Sequence, residues 1–302
     1  MTQATAQPSR HQATLALDAR ATLGECIRWD ERQKLIYWVD IPGRQLHRYD
    51  PATGRDDAMP LAQEMGCFAL AERGGFICGM RSGYARLDRF GGEFTSLASP
   101  DYDPARARFN DGRCDSAGRF WAGTMWEPRD RAGGIVYRLD ADGRFGAQCN
   151  PVIIANGITF APDGRSMTLA DTTNHVLWAF DYDLVTGIPS SRRELRSYEP
   201  ASGRPDGACV DAEGNVYVAI MAGGRVEKIS PTGELLALIE LPIPNITCCT
   251  FAGDDLRTLY ITTARTRMTD AELAAHPYAG GLFVWRLPDG DAPGIIEPRY
   301  AG

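Results

Sequence analysis

The sequence predicts an all-β chain, a six-bladed β-propeller with four-stranded antiparallel blades and a metal site on its central axis. Three observations carry the fold prediction. A strand–turn–strand pattern recurs six times at intervals of roughly 40–50 residues, the size of one blade. Turn dipeptides fall between the candidate strands, and helical periodicity is almost absent.

Each repeat runs from a small or polar head into a short apolar strand, then an aromatic-rich strand, then a third strand ending in acidic or glycine residues. The first opens at Glu25 and continues through Lys34–Asp40 and Gln45–Pro51. The second opens near Gly66 and runs through Gly75–Met80 to Tyr84–Asp88. The third starts at Asn110, passes Gly118–Thr124 and ends at Ile135–Asp140. The fourth starts at Asn156, with Ser166–Asp171 and Val176–Asp181 following; the fifth starts at Asp206, with Asn215–Ala219 and Arg225–Ile229. The sixth opens near Asn245 and includes Thr258–Thr262 and Gly281–Trp285.

Asp142-Gly143, Asp163-Gly164, Thr186-Gly187, Glu213-Gly214 and Thr232-Gly233 lie between strand candidates, where a hairpin needs a positive φ. One short helix is expected over Met268–His276, because Thr269-Asp270-Ala271-Glu272 has the form of a capping box and Pro277 stops it. Six repeats consume residues 15–302 as a single domain. The polar stretch 1–14 lacks an apolar run, which predicts a flexible tail rather than a secretory leader.

The charge of -7 over 302 residues weighs against a nucleic-acid partner, because no basic stripe is present to displace phosphate counterions. No apolar run approaches the roughly 18 residues of a membrane span, and nothing calls for an obligate protein partner. The eight cysteines form no Cys-x-x-Cys pair and sit in apolar stretches, so they read as buried packing thiols of a cytoplasmic protein. No Gly-x-Ser-x-Gly elbow and no phosphate-binding glycine loop is found, and none of the four histidines is at a repeat head.

The repeat heads hold the chemistry. Equivalent positions of a propeller converge on the axis, and here they are Glu25, Gly66, Asn110, Asn156, Asp206 and Asn245. Five of the six carry an amide or carboxylate, and leaving such groups buried and unpaired costs roughly 1–3 kcal/mol each. A cation, or water and substrate, removes that cost. Oxygen donors suit a hard ion such as calcium, magnesium or manganese. Taken singly, Asn110-Asp111-Gly112, Asn156-Gly157 and Pro205-Asp206-Gly207 are ordinary turn sequences. Their recurrence at one phase of the repeat is what favours a site.

Leu23-Gly24-Glu25, Arg108-Phe109-Asn110-Asp111-Gly112 with Gly118–Met125, Asn156-Gly157 and Pro205-Asp206-Gly207, in that order over about residues 15–290, resemble the regucalcin/gluconolactonase family of six-bladed propellers. The resemblance implies a divalent metal held by Glu25, Asn156 and Asp206, calcium ahead of zinc, manganese, magnesium or iron(II). It implies that Arg108 and Asn110 contact substrate hydroxyls, and that Glu127, one position out of the family's register, belongs to the substrate pocket. The expected reaction is hydrolysis of a sugar-acid lactone to the free aldonic acid, with the metal polarising the carbonyl and Asp206 as general base. Arg265–Gly280 is expected at the rim of the site. The alternative from a different class is a calcium-binding regulatory propeller without turnover.

Overall fold

The computed structural model describes residues 7–302 and contains six sheets. Five are built from consecutive strands, starting at Gly24, Met65, Ala107, Ala155 and Arg204, and each descends outward as a four-stranded antiparallel meander. The first strands pack side by side in a closed ring: Gly24–Asp30, Met65–Leu70, Ala107–Cys114, Ala155–Phe160, Arg204–Val210 and Ile246–Ala252, the last returning to the first. Six radial sheets packed face to face in a ring, each with its first strand along the channel, make the fold a six-bladed propeller.

The sixth blade has only three strands of its own, Ile246–Ala252, Thr258–Thr263 and Leu282–Arg286. Its outer strand comes from the N-terminal segment: Thr14–Leu17 pairs antiparallel with Leu282–Arg286, in the register Thr14↔Val284 and Leu15↔Phe283. Ser9–Gln12 adds a fifth, parallel strand to the fifth blade through Ser9↔Ala237 and His11↔Ile239. The expectation of a flexible tail over 1–14 therefore fails from Ser9 onward; residues 1–6 lie outside the described part. A polar outer strand reads as a tail in sequence because backbone ladders, not apolar side chains, hold it in place.

Each inner strand breaks register with its neighbour at the same phase. The shifts fall between Glu25 and Arg28, Met65 and Cys67, Phe109 and Asp111, Asn156 and Thr159, Pro205 and Ala208, and Ile246 and Cys248. A bulge re-aims a side chain out of the regular alternation. Repeated six times, it turns the repeat heads toward one end of the channel. Gly66 occupies the bulge of the second blade for a steric reason, since a Cβ there would lie 1.9 Å from the Phe109 carbonyl oxygen.

Apolar residues fill the spaces between blades. Tyr37, Phe68, Phe76, Tyr84, Phe109 and Phe120 form one buried layer across the first three blades, with Tyr37 edge-on to Phe76 at 4.9 Å. Seven of the eight cysteines are buried in such packing. The five Gly-containing dipeptides are turns, Gly143 at φ 84° and Gly214 at φ 83° among them. The short helix spans Asp270–Ala275 with its capping box in place.

The far ends of the inner strands are sealed by the C-terminal segment. Gly294 bridges to Asp211, Tyr300 bridges to Ala71, and the Ala301 amide donates to the Gly118 carbonyl at 3.0 Å. Beneath it, Glu297 pairs with Arg113 and, at 3.2 Å, with Arg28, whose side chain is 2% exposed. The channel is thus closed by charge at one end and open at the other.

Candidate active site in the axial pocket

At the open end a cavity of about 420 Å³ is lined by Glu25, Arg108, Asn110, Glu127, Asn156 and Asp206. All six residues singled out in the sequence face this one space, although they come from four different blades. The bulged inner strands supply five of them, and Glu127 follows Phe120–Trp126, the second strand of the third blade.

The carboxylates in the pocket are buried without adequate compensation. Burial, then the Asp206 and Asp111 carboxylates, push Glu25 well above the usual range. Burial and Asp111 push Asp206 up to about 8, with Arg204 opposing. Asp206 Oδ1 is fully buried and has no hydrogen-bond partner. Mutually repelling acids with an orphaned oxygen form a pocket that a divalent cation would satisfy.

Asn156 is held by its neighbours. Its Oδ1 accepts from Asn110 Nδ2 at 2.8 Å, and its Nδ2 donates to Thr172 Oγ1 at 2.8 Å. Thr172 in turn donates to the Pro205 carbonyl at 2.8 Å. The amide is therefore oriented, and Oδ1 keeps a lone pair. Glu25, Asn156 and Asp206 together offer two carboxylates and one amide oxygen, a hard donor set. Among the described residues no three His, Cys, Asp or Glu side chains gather as a metal cluster on their own. A cation here needs Asn156 as its third protein donor.

Arg108 donates to Asn110 Oδ1 at 2.9 Å and to the Phe109 carbonyl at 2.8 Å. Its Nε lies 3.8 Å from both Glu64 and Glu127. Glu127 accepts from Arg81 at 2.8 and 3.0 Å, and this pairing holds its carboxyl below the usual range. Two arginines and two glutamates thus form one block on the wall of the pocket.

Some participants escaped the sequence reading. Asp111 sits beside Asn110 in the same motif, and its carboxylate, accepting from the Gly112 and Ile158 amides at 2.8 and 3.2 Å, lies beneath the pocket acids. Glu64, just ahead of the Gly66 head, and Thr172, just after Ser166–Asp171, could have been found by inspecting residues flanking each head. In the other direction, Asn245 does not line the cavity. It precedes its strand's bulge, and its Nδ2 donates to the Thr266 carbonyl at 3.1 Å, fixing the Arg265–Gly280 segment. That segment reaches the pocket through Thr266 and Arg267.

Fold and pocket define a propeller whose channel ends in an acid–amide site beside an arginine block. The chain belongs to the SMP-30/gluconolactonase/LRE-like family, whose model matches residues 23–265. It is 44% identical to a 6-deoxy-6-sulfogluconolactonase of Pseudomonas putida over 93% of this chain and 96% of that protein. It is 36% identical to regucalcin of Gallus gallus over 94% of this chain and 96% of that one. A solved calcium-binding protein, regucalcin, from Agrobacterium tumefaciens superposes with a TM-score of 0.92 at 26% identity, covering 98% of this chain and 100% of its own.

Proposed function

We propose that the chain is a lactonase that hydrolyses a sugar-acid lactone to the free aldonic acid at the axial pocket. The observation that carries this reading is Asp206, a buried carboxylate with an unpartnered oxygen beside a second acid and an oriented amide. The lactonase named among its relatives, alike over almost its whole length, supports it. Glu25, Asn156 and Asp206 would hold one divalent cation, calcium first, as the regucalcin relatives favour. When bound, that cation supplies Lewis-acid polarisation of the lactone carbonyl.

The protein's own groups do the rest. Arg108 and Asn110 orient the ring hydroxyls; Arg108 is a fixed donor fork already braced by Glu64 and Glu127. Glu127 contributes by holding Arg81 and Arg108 in place at the substrate wall. Asp206 accepts a proton from the attacking water as its oxygen bonds to the carbonyl carbon. The ring C–O bond then breaks, and the ring oxygen leaves as a hydroxyl after taking up a proton. The reaction consumes one lactone and one water and needs no redox partner.

Substitution of Asp206 by alanine tests the assignment. Turnover should fall by roughly 10²–10⁴-fold, the usual contribution of a positioned base, and cation affinity measured by calorimetry should fall with it. Near-normal turnover would remove Asp206 from the mechanism.

A further inference from the structure

Three further arginines line the same cavity: Arg129, Arg204 and Arg267. Arg129 and Arg204 are half-buried and Arg267 is exposed, so they stand on the solvent side of the buried acids. Among the described residues none of the three lies within ion-pair distance of a carboxylate, although Arg204 acts on Asp206 and Glu127 acts on Arg129 across the pocket. Arg28, Arg81, Arg113, Arg119, Arg225 and Arg299 each reach a carboxylate oxygen. Among the described residues, Arg129, Arg204 and Arg267 make no ion pair and no side-chain hydrogen bond. They are also close enough to act on one another: burial first, then Arg267, Arg204 and Arg108, push Arg129 below its usual value, with Glu127 opposing.

The buried acids of the same cavity offset part of this charge, and a cation held by Glu25 and Asp206 would leave the three guanidinium groups to an anion from outside. The grouping also runs against the composition of the chain, which carries a net charge of -7. Each arginine also comes from a different blade connection: Arg129 follows Phe120–Trp126, Arg204 opens the fifth inner strand, and Arg267 precedes the short helix. They converge only through the fold.

We propose that Arg129, Arg204 and Arg267 form an anion subsite that selects sugar lactones bearing a sulfonate or phosphate on the carbon remote from the lactone carbonyl. The proposal rests on the lactonase reading for the orientation. With the carbonyl at Asp206, the distal end of the sugar points outward to the three guanidinium groups. Planar guanidinium forks suit the tetrahedral oxygens of either anion.

The test is calorimetric binding of gluconate, 6-deoxy-6-sulfogluconate and 6-phosphogluconate to the calcium-supplemented protein. The two anionic acids should bind at least tenfold more tightly than gluconate, the scale of one charge-assisted contact. That preference should weaken as salt is raised. In the Arg129→Gln/Arg267→Gln variant it should fall at least tenfold, and Arg129→Lys/Arg267→Lys should restore part of it. Arg267→Gln alone, at an exposed position, gives a smaller loss and covers the case in which the double variant does not fold. Tighter binding of the sulfonate marks that substituent as the natural one; tighter binding of the phosphate marks the other. Equal binding of all three acids, or a preference that survives loss of the arginines, overturns the proposal. Failure of the lactonase reading is distinguishable, because it would appear as a retained binding preference without acid release from any lactone.

Discussion

Replacing Asp206 by asparagine should make the metal-stripped protein more stable while disabling it. Asp206 is 5% exposed and lies beside two further acids, and its carboxyl is raised from 3.8 to about 8. A group whose acid form is favoured in the folded state binds more protons folded than unfolded. Its penalty is therefore absent below about pH 4, grows as pH rises and is complete above about pH 8. Every tenfold difference in proton affinity between the folded and unfolded chain corresponds to about 1.4 kcal/mol, so the penalty at pH 8 amounts to a few kcal/mol. For a domain of this size that is on the order of 5–10 °C in melting temperature. The asparagine carries no charge to bury. Thermal unfolding of chelator-treated wild type and Asp206→Asn between pH 5 and 9 reads this directly. The variant should melt higher at pH 8, with the gap closing toward pH 5. Added calcium should raise the wild type more at pH 8 than at pH 5, and the variant less at either. A variant that melts lower than wild type at pH 8, or a gap independent of pH, would refute the electrostatic reasoning.

Other perturbations follow from named contacts. Asn110→Ala removes the donor to Asn156 and the acceptor for Arg108; KM for a sugar lactone should rise, and an unchanged KM in steady-state kinetics would place substrate elsewhere. Glu297→Gln leaves the buried Arg113 without a carboxylate partner and Arg28 with only Asp111, at 4.0 Å; denaturant unfolding should show a loss of about 3–5 kcal/mol, the cost of breaking a buried pair. Removing residues 1–17 strips the closing strand of the sixth blade and the added strand of the fifth; the melting temperature should drop by several degrees, and an unchanged value would show that the ring closes without them.

The sequence carried the architecture because the blade is a local unit. Strand, turn and strand fall within one repeat, and the Asx-Gly and Thr-Gly turns announce themselves by residue type. The heads were legible for a different reason: a propeller sends equivalent positions to one place, so Glu25, Asn156 and Asp206 could be grouped without any contact being known. What escaped depended on contacts between blades or on chain ends. Ser9–Gln12 is polar and is held by its backbone ladder and by Arg10 and Gln12 on Glu240, so no apolar alternation marked it. Asn245 looked equivalent to the other heads, yet the sixth bulge lies at Ile246–Cys248 and turns it away. Arg129, Arg204 and Arg267 sit near three different blades and share no motif, so only the folded chain shows them together.

Acid release from a panel of aldonolactones, followed with a pH indicator on chelator-stripped protein with and without divalent cations, tests the central claim most directly. Acid should be released above the spontaneous rate, in dependence on the added cation, and release should disappear in Asp206→Ala. No release with any cation, from protein shown to be folded, would contradict it and leave a cation-binding propeller without turnover in its place.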